Sequence, residues 1–171
     1  HISGVCRAQS VVVERWYGMR QLRTALLLAH SRGDHCFPYG GEGALRPKYA
    51  MEVATRPLLV RTIESLKSLG FERIVVATGF RSEVLESLIL DSALSGVEVH
   101  QTESWLTGDA LVLAEVVRDK KFNEPLLVLN ADLLVHTDDI QNAVDIWTEA
   151  DGEHLVVMVD ELDNDEDKRS W

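Results

Sequence analysis

Lys48 closes a loop that holds Gly33, Gly40, Gly41 and Gly43 and that leaves the apolar run Leu26-Leu27-Leu28-Ala29. Glycines let backbone N–H groups come close to an anion, and a lysine adds a compact positive charge, so the pairing suits a phosphate. Asp132 ends a second apolar run, Leu127-Val128-Leu129-Asn130-Ala131. A carboxylate at the end of a buried strand is costly without a partner, and Mg2+ is a partner that carboxylates and phosphates share. Gln101 offers a donor and an acceptor side by side, which suits a base edge, and Gly108 after Thr107 permits close approach of a base or ribose. Each also has a plainer reading: a solvated lysine, a capping aspartate, a surface amide and an ordinary helix start.

To work together these residues must meet at one edge of a scaffold. Residues 24–29 read as a buried strand, too short for helical periodicity, and 30–48 as the glycine-rich loop. Pro57 opens a helix whose stripe is Leu58, Leu59, Ile63, Leu66 and Leu69, and Gly70 ends it. Strands are expected at Arg73–Thr78, Val97–Gln101, Leu126–Asn130 and Leu155–Val159, and helices at Ser82–Leu90, 109–118 and Thr137–Glu149. The last of these helices has Thr137 as N-cap and Asp138 and Asp139 at its positive end. Val11-Val12-Val13 reads as a short strand, with Trp16 and Tyr17 packing on the domain edge. Strands alternating with helices give a parallel α/β sheet with right-handed crossovers, whose ligands sit outside the carboxyl ends of the strands. The loop after Ala29, the segment 101–108 and Asp132 all fall at such ends.

Composition narrows the partners. A chain of 171 residues with 46% hydrophobic content is one domain by length and can bury a core. A net charge of −11 argues against nucleic acid or an anionic membrane surface, though not against a nucleotide held by local backbone groups and a metal. Cys6 and Cys36 form no CxxC pair, which fits a reducing, cytoplasmic setting. No apolar run reaches the roughly 20 residues of a membrane span. The start, His1-Ile2-Ser3-Gly4, has neither Met nor a basic region ahead of an apolar one, so it reads as no signal peptide but as a fragment. A zinc set of His30, His35 and Cys36 lacks a fourth ligand, Ser31 has no Gly-x-Ser-x-Gly setting, and Trp105 reads as packing. The glycine loop is neither a P-loop nor a dinucleotide fingerprint, because no Gly-Lys-Ser/Thr follows and no helix opens on it.

The ordered pieces resemble the sugar-phosphate nucleotidyltransferase family. Its pattern is a strand, Leu-Ala-Ala-Gly-x-Gly-Thr/Ser-Arg, a Pro, then Pro-Lys, then Gly-Lys-Pro-Leu/Met before a helix, and a strand ending near Gly-Tyr. Here these stand as Leu28-Ala29-His30-Ser31-Arg32-Gly33-Asp34-His35, Pro38, Pro47-Lys48, Thr55-Arg56-Pro57-Leu58-Leu59 and Thr78-Gly79-Phe80. Gln101 through Ala110, with Thr107-Gly108-Asp109-Ala110, resembles the family's Gln…Gly-Thr-Gly/Ala-x-Ala, and Leu127 through Asp132 its strand ending in Gly-Asp. Ser31 stands where the family has its second loop glycine, and His35 where it has arginine; Arg32 and Arg46 are the loop residues placed to replace that charge.

The resemblance implies a Rossmann-like three-layer α/β/α fold with a mostly parallel sheet, of the nucleotide-diphospho-sugar transferase type and C-terminally truncated. It divides the chain into an extension over 1–22, a nucleotide-binding domain over 23–160 and an acidic tail or truncated edge over 161–171. The implied activity transfers NMP from an NTP to a sugar 1-phosphate or similar phospho-acceptor, releasing pyrophosphate. Lys48, Asp132 and Arg32 would be catalytic, with Asp132 the Mg2+ ligand. Leu28, Ala29, His30, Ser31, Gly33, Gln101, Thr107 and Gly108 would bind the nucleotide. Two alternatives stand beside it: a catalytically weak nucleotide-binding or regulatory domain, and a cytidylyltransferase for phosphocholine or a phosphonate. The expected partners are NTP and a phosphorylated small molecule, without nucleic acid or membrane; self-association stays open.

Overall fold

The computed structural model describes residues 7–12, 22–33, 46–150 and 154–159. Along the chain these are β1 (Arg7–Val12), β2 (Thr24–Ala29), a 3-10 turn (Lys48–Ala50), β3 (Glu52–Val53), β4 (Arg56–Pro57), α1 (Leu58–Ser68) and β5 (Arg73–Thr78). There follow α2 (Ser82–Asp91), β6 (Val97–Gln101), α3 (Asp109–Lys120), β7 (Leu126–Asn130), α4 (Thr137–Glu149) and β8 (His154–Val159). His35, Cys36, Pro38, Gly40, Gly41 and Gly43, along with Cys6, Val13, Trp16, Tyr17 and the acidic tail, lie outside the described residues.

Two compact units are present. The first, Gln21–Thr137, is built on a four-stranded sheet in the order β6-β5-β2-β7, every neighbouring pair parallel. β2 and β5 are central, and their near-continuous apolar sequences follow from burial on both faces. Leu26 and Leu28 share one face with Val75 and Ala77 and pack against Val112 and Val116 of α3. Leu27, Ile74 and Val76 point to the other face and are equally buried. The chain steps from β2 to β5 to β6 in one direction through α1 and α2, then returns through α3 to β7 at the opposite edge. Right-handed crossovers therefore set α1 and α2 on one face and α3 on the other. The reversal of direction falls between β2 and β7, and that is where a doubly wound sheet opens a crevice at its carboxyl edge.

In the second unit, β1 and β8 pair antiparallel, with Arg7 opposite Val159 and Val12 opposite His154. The strand expected at Leu155–Val159 is thus present but lies outside the parallel sheet. Its apolar pattern signals a strand without naming the partner, and the Val11-Val12 run is that partner. Pro57 sits one position ahead of the first helical residue of α1 as its N-cap, in extended conformation (ψ 137°). Between β3 and β4 the two-residue turn Ala54-Thr55 has φ of 50° and 68°, so Thr55, where the family pattern has glycine, adopts a glycine-favouring geometry. Among the described residues no helix is long and apolar enough to cross a membrane.

Candidate functional site

The carboxyl ends of the four strands present, in order, Gln101, Thr78-Gly79, Ala29-His30 and Asn130-Ala131-Asp132. Gln101 pairs with Thr78, which pairs with Ala29, while Leu28 pairs with Asn130. Three inter-strand steps separate the Gln101 strand from the Asp132 strand, about 14 Å in all. That span matches an extended nucleoside polyphosphate laid across the strand ends.

At the β2–β7 end the crevice holds the charges. Asp132 follows Ala131, whose N–H is tied to Leu28 O at 3.0 Å, so its backbone is anchored to β2. The Asp132 carboxylate accepts from Lys48 Nζ, with side-chain exposures of 33% and 15%. Lys48 is placed by its 3-10 turn, closed by Ala50 N to Pro47 O at 2.9 Å. Its stem lies over Gly33: a Cβ there would meet Lys48 Cδ at 3.0 Å, and Gly33 has φ +69°. The positive φ favours glycine at this point, and a Cβ would push the flexible Lys48 stem aside. Arg32 is half-buried beside it. The residues foreseen for phosphate and metal, Lys48, Gly33 and Asp132, are gathered here.

Tyr49 and Ser31 add a contact that the residue types did not announce. Tyr49 is 3% exposed, and its hydroxyl lies 2.9 Å from Ser31 Oγ and accepts Ser31 N–H at 3.3 Å. Burial pushes the Tyr49 hydroxyl pKa up against the opposing effect of its Ser31 bond. The amide of Ser31, a residue expected to bind the nucleotide, is thus engaged inside the protein.

At the β5–β6 end, Thr102 N donates to Thr78 O at 2.8 Å and starts the segment 102–108. Glu115 of α3 holds that segment: Oε2 accepts Thr102 Oγ1 at 2.7 Å and Ser104 N at 3.0 Å, and Oε1 accepts Glu103 N at 2.9 Å. Burial works to raise the Glu115 pKa, but hydrogen bonds from the Ser104 and Thr102 side chains and the Glu103 and Ser104 amides outweigh it and bring it down to about 2. Gln101, Thr107 and Gly108 are exposed. Thr107 N and Oγ1 both turn back to Ser104 O, and Gly108 (φ +104°) leads into α3. Trp105 packs as expected, its ring centroid 6.2 Å from that of Phe80. A Cβ at Gly79 would meet Trp105 Cβ at 2.3 Å and His30 O at 2.7 Å, so only glycine fits there.

His30 joins the two ends. Its side chain is 3% exposed, with Nδ1 3.1 Å from Trp105 O and Nε2 2.9 Å from Asp109 Oδ1. Leu28 and Ala29 are buried strand residues beneath it. Asp109 gave no signal of this role, because an acid at the first position of a helix already has a reason to be there. Glu115 was equally silent, since a single acid within a helix reads as a solvent-facing position.

A metal has two places to be considered. Asp132 offers a hard carboxylate oxygen beside the phosphate lysine, which fits Mg2+, an ion that takes one or two protein carboxylates and fills its shell from phosphate and water. His100, Glu115 and Asp119 also gather, their ligating atoms within 4.8 Å of one another, and His100 Nε2 is buried without a hydrogen bond. There the Glu115 and Asp119 carboxylates already accept hydrogen bonds, and an imidazole in the set does not suit Mg2+.

The profile of the MobA-like NTP transferase domain matches residues 39–164, more than half of the chain. The mannose-1-phosphate guanylyltransferase catalytic subunit beta of Drosophila melanogaster is 33% identical over 92 residues, covering 52% of this chain and 25% of that protein. Mannose-1-phosphate guanyltransferase of Saccharomyces cerevisiae is 38% identical over 92 residues, again 52% and 25%. The chain therefore spans about a quarter of the length of these curated relatives. Among solved structures, UDP-glucose pyrophosphorylase complexed with UDP-glucose superposes with a TM-score of 0.60 at 17% identity, over 76% of this chain and 54% of that one. A nucleotidyl transferase from Methanothermobacter thermautotroptrophicus gives 0.58 at 19% identity, over 71% and 56%. These likenesses show a shared fold, the α/β architecture with a mostly parallel sheet that the motifs implied. On the match across residues 39–164, the chain belongs to the family of MobA-like NTP transferase domains.

Proposed function

We propose that this chain transfers a nucleotidyl group from an NTP to a phosphorylated acceptor, with a sugar 1-phosphate as the first candidate. The single observation that carries the reading is the pairing of Lys48 with Asp132 over Gly33, at the point where the sheet reverses direction. A phosphate oxygen of the acceptor attacks the α-phosphorus in line, the bond to the β-phosphate breaks, and pyrophosphate leaves. No enzyme nucleophile is needed, so the protein acts by positioning and by neutralising charge.

Lys48 steadies phosphate oxygens, and Arg32 adds positive charge from the same loop. Gln101 reads the base edge, with Thr107 and Gly108 leaving room for base and ribose. Asp132 would hold Mg2+, which supplies Lewis-acid neutralisation of phosphate charge when bound. The Lys48–Asp132 ion pair keeps the two groups mutually satisfied until a polyphosphate draws the lysine to itself. The relatives' names make GTP with mannose 1-phosphate, and UTP with glucose 1-phosphate, the first pairs to try.

The test is pyrophosphate release with Mg2+, each of four NTPs and a panel of mannose 1-phosphate, glucose 1-phosphate and phosphocholine. Turnover of one pair, lost by a factor of at least about 100 in Asp132→Ala, is the expected result. Unchanged turnover in Asp132→Ala for every pair refutes the assignment. A nucleotide-binding module without turnover is the second reading, favoured by the Ser31 amide being tied to Tyr49. Calorimetric binding of Mg2+–NTP with no pyrophosphate release selects it.

A further inference from the structure

His30 and Asp109 stand at unusual addresses. His30 directly precedes Ser31-Arg32-Gly33, and Asp109 directly follows Thr107-Gly108. An imidazole that is almost fully buried is costly unless its nitrogens are satisfied, and here both face acceptors, Trp105 O at 3.1 Å and Asp109 Oδ1 at 2.9 Å. A neutral ring can donate to one of the two, and the doubly protonated ring donates to both. The residue is pinned from the backbone as well, since His30 O accepts Phe80 N at 3.0 Å. Gly79 lets Trp105 settle against this point. The end of β2, the end of β5 and the segment before α3 therefore converge on one side chain.

We infer that His30 and Asp109 form a positioning couple that fixes the base-reading segment 101–108 against the end of β2. The inference rests on the nucleotidyl-transfer reading and deepens it. His30 acts through Asp109 and Trp105 rather than by touching the nucleotide, because its ring is shut away from the crevice. A segment already held in register loses less freedom when a base docks, so the couple raises affinity for nucleotide without a direct contact. A bare polyphosphate, which uses only the Lys48–Asp132 end, does not draw on it.

Calorimetry on the full chain with Mg2+ compares the best-binding NTP with inorganic tripolyphosphate, in wild type, His30→Ala, Asp109→Ala, Asp109→Asn and the His30→Ala/Asp109→Ala double variant. The expected result is about a tenfold loss of NTP affinity in Asp109→Ala, with tripolyphosphate held within about twofold. Asp109→Asn, which keeps an acceptor oxygen, recovers most of the loss. The double variant binds NTP no worse than His30→Ala alone. Thermal melts of each variant show a folded chain. Equal NTP affinity in Asp109→Ala and wild type overturns the inference, as does a parallel loss of NTP and tripolyphosphate. A wild-type chain that binds no Mg2+–NTP overturns the functional reading and this inference with it, whereas a binding wild type with indifferent variants overturns the inference alone.

Discussion

Replacing Glu115 by glutamine removes a charge from a carboxylate that is only 10% exposed and accepts hydrogen bonds from Thr102, Glu103 and Ser104. Its pKa lies at about 2 against an ordinary 4.5, because those donors outweigh burial. A carboxyl whose pKa is lowered by folding stabilises the native state fully above its unfolded value and loses that contribution as pH falls through the folded one. The gap between the two values corresponds to roughly 3 kcal/mol at about 1.4 kcal/mol per tenfold. Glutamine keeps one acceptor oxygen and turns an NH2 toward the donors of the 102–104 segment, so about 2–3 kcal/mol is lost at neutral pH. For a chain of this size the melting midpoint falls by about 4–12 °C. Denaturant unfolding of both proteins at steps from pH 7 to pH 2 reads the effect. The difference should hold from pH 7 to 5, narrow below 4.5 and nearly vanish by pH 2. A difference that stays constant through pH 3, or one below about 1 kcal/mol at pH 7, refutes the reasoning.

Thr55→Gly should stabilise the chain by about 1 kcal/mol, since Thr55 sits at φ 68° in the β3–β4 turn; an unchanged or lower melting midpoint counts against it. Gly79→Ala should cost about 3 kcal/mol or more, because the added Cβ meets Trp105 Cβ at 2.3 Å and backbone oxygen at 2.7 Å, and denaturant unfolding measures it. Tyr49→Phe frees the Ser31 amide and hydroxyl, so tripolyphosphate affinity measured by calorimetry should rise about threefold, with some loss of stability from the missing hydrogen bond.

Much of the parallel sheet was legible because its strands are near-continuous apolar runs bounded by turn residues, as at Leu26–Ala29 and Arg73–Thr78. Helix positions followed from stripes such as Leu59, Ile63 and Leu66. Strand partnership was not legible. Periodicity marks which residues face a core and not which strand lies alongside, so it puts Leu155–Val159 with the parallel strands, whereas β8 pairs with β1. At the site, Lys48, Gly33 and Asp132 could be picked out because glycine, lysine and a strand-end acid each break the pattern around them. Asp109 and Tyr49 break nothing, and Glu115 interrupts the apolar run Leu111–Val117 only as a solvent-facing helix position would. An acid opening a helix, an acid within one and an aromatic after a lysine are all ordinary, and only the tertiary fold turns them toward His30, the 102–104 segment and Ser31.

A chain of net charge −11 is an unlikely host for a polyphosphate if charge is summed over the whole molecule. The crevice resolves this by distance. At physiological ionic strength charges are screened beyond about 8 Å, so the acidic residues on remote surfaces contribute little at the β2–β7 edge. On the proposed reading, what acts there among the described residues is the charge of Lys48 and Arg32. Among the described residues Asp132 is drawn tightly to Lys48, and on the proposed reading it offsets that lysine's charge until a divalent cation and a polyphosphate arrive together. An anion alone would have to displace a carboxylate from its lysine, whereas the metal–nucleotide pair gives each of them a new partner. On this reasoning the site discriminates against free anions through the same acidic residue that the proposed reaction would use. Tripolyphosphate should accordingly bind at least about tenfold more weakly without Mg2+ than with it. In Asp132→Asn that dependence should shrink to within about threefold, because free anion no longer competes with the Asp132 carboxylate for Lys48. Calorimetry with and without Mg2+ measures both, and an undiminished Mg2+ dependence in Asp132→Asn would show that the aspartate is not the gate.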